Sequence, residues 1–206
     1  NIYFSMLDAP NNVLMITGAA PEAGKSFISA NLAAVMAQSG KRVLLIDTDM
    51  RKGYLDRLFG LTPEFGLSDI LSGKASPAKA VQETGIENLH LISSGSYPSN
   101  PSELLMDNRF NELLAHARQR YDYVILDTPP VLAVTDAVII GQHAGTVLMI
   151  SRYAHTRARE LEASVERLKQ NHINIKGVVL NGMKREANNS YDYYAYDAYH
   201  SGNNKS

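Results

Sequence analysis

Cysteine is absent from these 206 residues, so neither a disulfide framework nor a thiolate metal site can hold the fold together. That composition suits the cytoplasm. The six histidines are scattered without ligand spacing, which argues against a zinc site. Excess charge is missing too: 20 Lys and Arg stand against 21 Asp and Glu, for a net charge of −1. Binding to a phosphate backbone needs a concentrated basic surface, so no nucleic-acid partner is expected. No stretch approaches the roughly 18 consecutive apolar residues that cross a bilayer, and no signal or transit peptide is visible. What is present, 45% hydrophobic and 20% charged residues, is the composition of one ordinary globular domain. The chain opens on Asn1, and Ile2 to Leu7 reads as the end of an amphipathic helix, so a longer polypeptide is expected.

Short runs rich in Val, Ile and Leu recur at Val13 to Thr17, Val43 to Asp47, Leu89 to Ser93, Tyr123 to Asp127, Thr146 to Ser151 and Gly177 to Asn181. None alternates with polar residues, which is how strands buried on both faces read. Helical patterns lie between them. Lys25 to Ser39 carries Phe27, Ile28, Leu32, Val35 and Met36 as its apolar side and stops at Gly40; Ser102 to Arg120 opens behind Asn100-Pro101; Thr156 to Asn171 has Leu161, Val165 and Leu168 as its stripe. This alternation predicts an α/β domain built as a doubly wound, mostly parallel sheet with helices on both faces, and together with the phosphate-loop pattern at residues 19–26 it is of the P-loop NTPase type. In such sheets ligands sit at the carboxyl ends of the strands. There the first strand runs into residues 18–26, the second ends at Asp47-Thr48-Asp49-Met50-Arg51, a later one ends at Asp127-Thr128-Pro129-Pro130, and the last at Asn181; the strand ending at Ser93-Ser94-Gly95 reads only as a loop.

Ala19-Ala20-Pro21-Glu22-Ala23-Gly24-Lys25-Ser26, between a strand and a helix, is the pattern of a Walker A phosphate-binding loop. Successive backbone N–H groups at a helix N-terminus meet the charge of a triphosphate, and a glycine lets it come close. The expected nucleotide contacts are Ala20, Pro21, Glu22, Ala23, Gly24, Lys25, Ser26 and Phe27, with Lys25 on the β- and γ-phosphates and the Ser26 hydroxyl on Mg²⁺. One departure is that Ala19 fills the first position, usually Gly, with Gly18 one place earlier.

Asp127 ends an apolar strand and is the expected Mg²⁺ partner. Asp47 and Asp49 fall on one side of an extended chain. Asp47 is assigned to the metal shell and Asp49, nearer the mouth, to orienting and deprotonating an attacking hydroxyl; for either, simple capping of the next helix is the alternative. Arg51 and Lys52 read as solvated, the alternative being that they add positive charge near the phosphates. Asn181 either hydrogen-bonds the adenine or caps.

From Arg185 onward the pattern gives way to polar, aromatic and small residues, read as a flexible tail (185–206) behind the P-loop domain (1–184). Tyr191, Tyr193, Tyr194, Tyr196 and Tyr199 cluster there beside Asp192 and Asp197, without aliphatic neighbours to bury them. Stacking on a partner or modification of the hydroxyls is left, and the acidic surroundings disfavour nucleic-acid stacking.

With the loop, Leu44 to Arg51, Ile125 to Pro130, Asn100 to Leu105 and the tyrosine cluster taken together, the sequence resembles the bacterial tyrosine kinase family, the cytoplasmic domains of transmembrane polysaccharide co-polymerases that govern capsule and exopolysaccharide export. The family tolerates Ala at the first loop position. The resemblance implies Mg²⁺-ATP-dependent autophosphorylation of the tail tyrosines, a cognate protein-tyrosine phosphatase that resets them, an upstream transmembrane co-polymerase segment, and a ring of copies beneath the bacterial inner membrane on its cytoplasmic face. In the family that ring is promoted by a helix bearing a Glu and two Arg, which would lie before Asn1. The resemblance favours delivery of the tail to a neighbour; the ten residues from Asn181 to Tyr191 span at most about 35 Å, which permits self-modification as well. It also marks Tyr54 as an internal phosphorylation site that gates activity, the alternative being a ring packed under the short helix after Arg51. The rival class is a partitioning-type ATPase switch, whose relatives carry an extra signature Lys near the loop start, where this chain has Gly18, Ala19 and Ala20. A nucleotide-binding scaffold without turnover would leave the three aspartates unused.

Overall fold

The structure is a computed structural model that describes residues 8–183. The boundary expected at 184/185, the tail tyrosines and the first seven residues lie outside the described part. Among the described residues seven strands form one sheet: β1 (Val13–Gly18), β2 (Val43–Asp47), β3 (Val81–Glu83), β4 (Leu89–Ile92), β5 (Tyr123–Asp127), β6 (Thr146–Arg152) and β7 (Ile175–Asn181). Their order is β3-β4-β2-β5-β1-β6-β7. All pair in parallel except β3, a short antiparallel edge strand against β4 that the sequence pattern did not disclose.

The eight helices among the described residues are α1 (Lys25–Gln38), α2 (Leu55–Leu58), α3 (Leu67–Leu71), α4 (Pro77–Ala80), α5 (Pro101–Met106), α6 (Asn108–Arg120), α7 (Asp136–Gly141) and α8 (Ala158–Gln170). They cover both faces. Leu14, Ile16, Leu45, Ile125 and Ile150 pack with Ala33, Met36 and Ala37 of α1 and Leu55 of α2. Val13, Met15, Leu44, Ile46 and Leu126 pack with Leu67 of α3, Phe110 and Leu114 of α6, Ile140 of α7 and Leu168 of α8. Consecutive residues of β1 and β2 thus enter opposite cores, which is why those strands carry no polar alternation.

Three expectations need correction. In α1 the buried residues are Lys25, Ser29, Ala33, Met36 and Ala37, whereas Phe27 and Val35 are each 59% exposed. Small residues four apart let the helix lie close to the sheet, and Lys25 and Ser29 must face the strand ends, so size and function set the face. Ser102 to Arg120 is two helices, because Asp107 leaves helical geometry (ψ 146°) and its carboxylate accepts from the Arg109 N–H, restarting the turn as an N-cap. β7 is an edge strand covered unevenly, with Val178 and Leu180 each 49% exposed and alternating with half-buried neighbours.

Candidate nucleotide and phosphoryl-transfer site

β1 sits between β5 and β6, at the point where successive crossovers turn to opposite sides, and the chain leaves its carboxyl end into the phosphate loop. This is the crevice where parallel sheets bind ligands. The loop conformation supports a cradle of amides. Glu22 (φ 61°) and Gly24 (φ 88°) are both left-handed, and Gly24 is the residue immediately before α1. A side chain at Gly24 would be strained by its φ and would also stand 2.3 Å from Asn181 Nδ2. The loop is braced from the β6 and β7 side: Asn181 Nδ2 donates to the Ala23 carbonyl at 3.1 Å, and Arg152 Nη1 to the Glu22 carbonyl at 3.1 Å. Asn181 is therefore a loop support in this structure, a third role beside the two expected of it.

Lys25 is buried at the start of α1, and desolvation lowers its pKa, offset in part by the charges of Asp127 and Asp49. Asp47 and Asp127 are register partners on β2 and β5, both buried. Burial raises the pKa of each, Asp47 to about 8 with the Asp127 charge adding to the rise, and Asp127 to about 6 against the lowering effect of hydrogen bonds from Ser26 and Ser29 and the charge of Lys25. Ser29 Oγ donates to Asp127 Oδ1 at 2.9 Å. Two proton-hungry carboxylates beside an ammonium group form a site whose charge a divalent cation would complete. The donor chemistry fits Mg²⁺, a hard cation that takes few protein oxygens and completes its shell with water and phosphate. Ser26 and Asp127 supply that chemistry, and among the described residues no cluster of three or more acidic or histidine side chains forms a cage of its own.

Asp47 is engaged by the backbone: its carboxylate accepts from the N–H of Asp49 (3.1 Å), Tyr54 (2.8 Å) and Leu55 (3.1 Å). It thus organises the turn after β2 and the start of α2, so the capping alternative describes part of its work. Asp49 Oδ1 accepts from the N–H of Arg51 (3.1 Å) and Lys52 (2.9 Å), while Oδ2 accepts no hydrogen bond among the described residues. Thr48 Oγ1 and N–H both reach the Asp127 carbonyl, tying β2 to β5 where the three aspartates meet.

Phe27 lies beside the loop but is exposed. Tyr54 is 48% exposed with the Arg57 guanidinium 5.9 Å from its ring centroid, so it is not packed beneath α2. Arg51 is exposed, as expected of a solvated side chain, but its guanidinium also pairs with the buried Asp136. Sequence reasoning passed over Asp136 and Ser29. The available signals were an acidic residue opening the apolar run Ala137 to Ile140, and a serine on the face of α1 that also carries Lys25. Ser93 and Ser94, read as loop, are buried and wedge between Gly53 and Gly66. A cavity of about 260 Å³ lined by His90, Tyr121, His116 and Leu113 includes none of the loop residues.

A phosphate loop at the carboxyl end of β1, a buried lysine followed by a half-buried serine at the next helix start, and aspartates at the ends of β2 and β5 define a P-loop nucleotide-binding domain. A sequence-family profile described as an AAA domain matches residues 18–177. The chain is 54% identical to the tyrosine-protein kinase wzc of Salmonella typhimurium over 96% of its own length and spans 28% of that relative. The solved kinase domain of Escherichia coli tyrosine kinase ETK superposes with a TM-score of 0.88 at 47% identity, covering 92% of this chain and 74% of that one. The septum site-determining protein MinD of Pyrococcus horikoshii shares the fold at a TM-score of 0.73 and 21% identity, covering 86% of this chain and 72% of that one. The chain belongs to the AAA domain family and, within it, to the bacterial tyrosine-protein kinase domains.

Proposed function

We propose that this domain is an ATP-dependent protein-tyrosine autokinase that phosphorylates the tyrosine-rich tail. The observation that carries the reading is the convergence of Lys25, the Ser26 hydroxyl and the three aspartates at one end of the sheet. Phosphoryl transfer is mostly positioning and charge neutralisation. Loop amides from Ala20 to Ser26 and the Lys25 ammonium hold the β- and γ-phosphates, and Phe27 and Asn181 flank the nucleotide. Ser26, Asp47 and Asp127 would hold Mg²⁺, which when bound would supply charge neutralisation for the transfer. A tyrosine hydroxyl has a pKa of about 10 and needs a base at neutral pH. Asp49 Oδ2 takes that proton as the tyrosine oxygen bonds to the γ-phosphorus and the bridge to the β-phosphate breaks, releasing ADP. Kinases named among the relatives at about half identity support this chemistry over a switch that only hydrolyses ATP.

The acceptors are Tyr191, Tyr193, Tyr194, Tyr196 and Tyr199, with Tyr54 as an internal site whose half-exposed ring favours modification over packing. Each phosphate adds roughly 1.5 to 2 negative charges. Delivery to a neighbour in a ring, reversal by a cognate phosphatase, attachment to an upstream transmembrane co-polymerase segment at the cytoplasmic face of the inner membrane, and control of polysaccharide export complete the proposal. In a ring-forming full-length protein, phosphorylation is expected to loosen the assembly; sedimentation unchanged by ATP treatment would contradict this.

Incubation with Mg²⁺-ATP followed by intact-mass measurement tests the central claim. Additions of about 80 Da that disappear when the tail tyrosines are replaced by Phe support it. ATP consumed without added mass would point to the switch instead, and Lys25→Met is expected to abolish turnover.

A further inference from the structure

The turn carrying Asp49 is held at two places. Asp47 grips its far end through the N–H groups of Tyr54 and Leu55. The near end is gripped through Arg51, whose Nε donates to Asp136 Oδ2 at 2.8 Å and whose Nη2 donates to Asp136 Oδ1 at 3.2 Å. Ser102 Oγ donates to the same Oδ1 at 2.5 Å and accepts from Arg51 Nη2 at 3.3 Å. The Asp136 side chain is 1% exposed, so both its oxygens are committed to this one guanidinium and one hydroxyl. Three elements distant in sequence therefore meet: the turn after β2, the first turn of α5 and the first residue of α7.

The connection to chemistry runs through two bonds. Asp49 Oδ1 is oriented by the backbone N–H of Arg51 and Lys52, so the direction of Oδ2 depends on where residues 51 and 52 are held. Met50, fully buried, fixes the chain between them. A planar, bidentate guanidinium pair specifies position and angle in a way a single ammonium contact cannot. A buried carboxylate that lost its partner would be costly, which keeps the pair closed.

We propose that Asp136 is a positioning residue for the phosphoryl-transfer site: it locks Arg51 through a bidentate pair, and Arg51 in turn aims the Asp49 carboxylate at the incoming hydroxyl. Ser102 completes the lock from α5. This inference rests on the assignment of Asp49 as base. Asp136 touches neither nucleotide nor acceptor, so nucleotide affinity is expected to be preserved while transfer slows.

The test uses the full chain with Asp136→Asn and, as a milder change that leaves the ion pair in place, Ser102→Ala. Amide hydrogen exchange without nucleotide reads the lock directly. At Arg51, Lys52 and Tyr54 exchange is expected to accelerate at least about tenfold in Asp136→Asn and less in Ser102→Ala, with β1 and β5 amides unchanged. In the mass-shift assay kcat is expected to fall on the order of 10- to 100-fold with KM for ATP within about twofold, as befits a displaced catalytic group. Unaltered exchange at residues 51–54 in both variants overturns the proposal whatever the activity. Faster exchange with unchanged kcat overturns the link to Asp49, while a wild-type protein that adds no phosphate counts against the kinase reading and leaves the exchange result to decide the lock.

Discussion

Asp47 and Asp127 stand side by side on β2 and β5, and their raised proton affinities have a consequence for stability. The native protein holds these protons up to about pH 8 and about 6, whereas in an unfolded chain they leave near the ordinary 3.8. Between those limits the folded state binds more protons than the unfolded state, so this pair lowers stability as pH rises from about 4 to about 8, with no further loss above that. Without divalent cations, the thermal midpoint is expected to fall by several degrees more in the wild type than in Asp127→Asn over this range, since the substitution removes one group and its repulsion of the other. Parallel midpoint-against-pH curves for the two proteins would refute the assignment, and added Mg²⁺-ATP should flatten the wild-type slope. The sequence made Lys25, Ser26 and the three aspartates legible because each lies at or within two residues of an element end next to the carboxyl edge of the sheet. Asp136 and Arg51 were not, since their meeting depends on how the turn after β2 folds back toward α5 and α7, a path that no spacing encodes.

At the scale of elements, the apolar runs located six strands correctly because burial on both faces leaves a compositional mark even without periodicity. β3 left no such mark: Val81-Gln82-Glu83 is three residues on an edge, with exposed or half-buried side chains. The outward face of α1 was misread because hydrophobicity was weighed without size, although Ser29, Ala33 and Ala37 are what allow close approach. Close approach also explains Gly66, the residue before α3. A Cβ there would stand 2.2 Å from Gly95 N and 2.6 Å from the Ser93 carbonyl, both backbone atoms that cannot rotate aside. Gly66→Ala is expected to cost about 1–3 kcal/mol, and chemical denaturation should show a lower midpoint with unchanged slope. Wild-type stability in this variant would mean that the loop after β4 moves freely against α3. That loop, Ser93 to Ser96, is instead pinned: Ser96 Oγ donates to Asp69 Oδ1 at 3.0 Å, and Asp69 Oδ2 accepts from the Gly66 N–H at 3.0 Å.

For the molecule as a whole, nucleotide binding is linked to folding, because the loop exists as a cradle only in the folded state. At a Mg²⁺-ATP concentration about 100 times the dissociation constant, stabilisation of about 2.7 kcal/mol is expected, read as a rise in thermal midpoint. Lys25→Met should lose most of that rise. An equal rise in the variant would show that the ligand binds elsewhere. Asn181 joins the two ends of this system, since its side-chain Nδ2 donates to the Ala23 carbonyl of the phosphate loop while its main-chain carbonyl accepts the Tyr153 N–H at 2.8 Å. β7 therefore ends at the wall of the cradle. An occupied loop is expected to stiffen the end of β7, seen as slower amide exchange at Tyr153, so that occupancy of the cradle would be felt at that edge of the sheet.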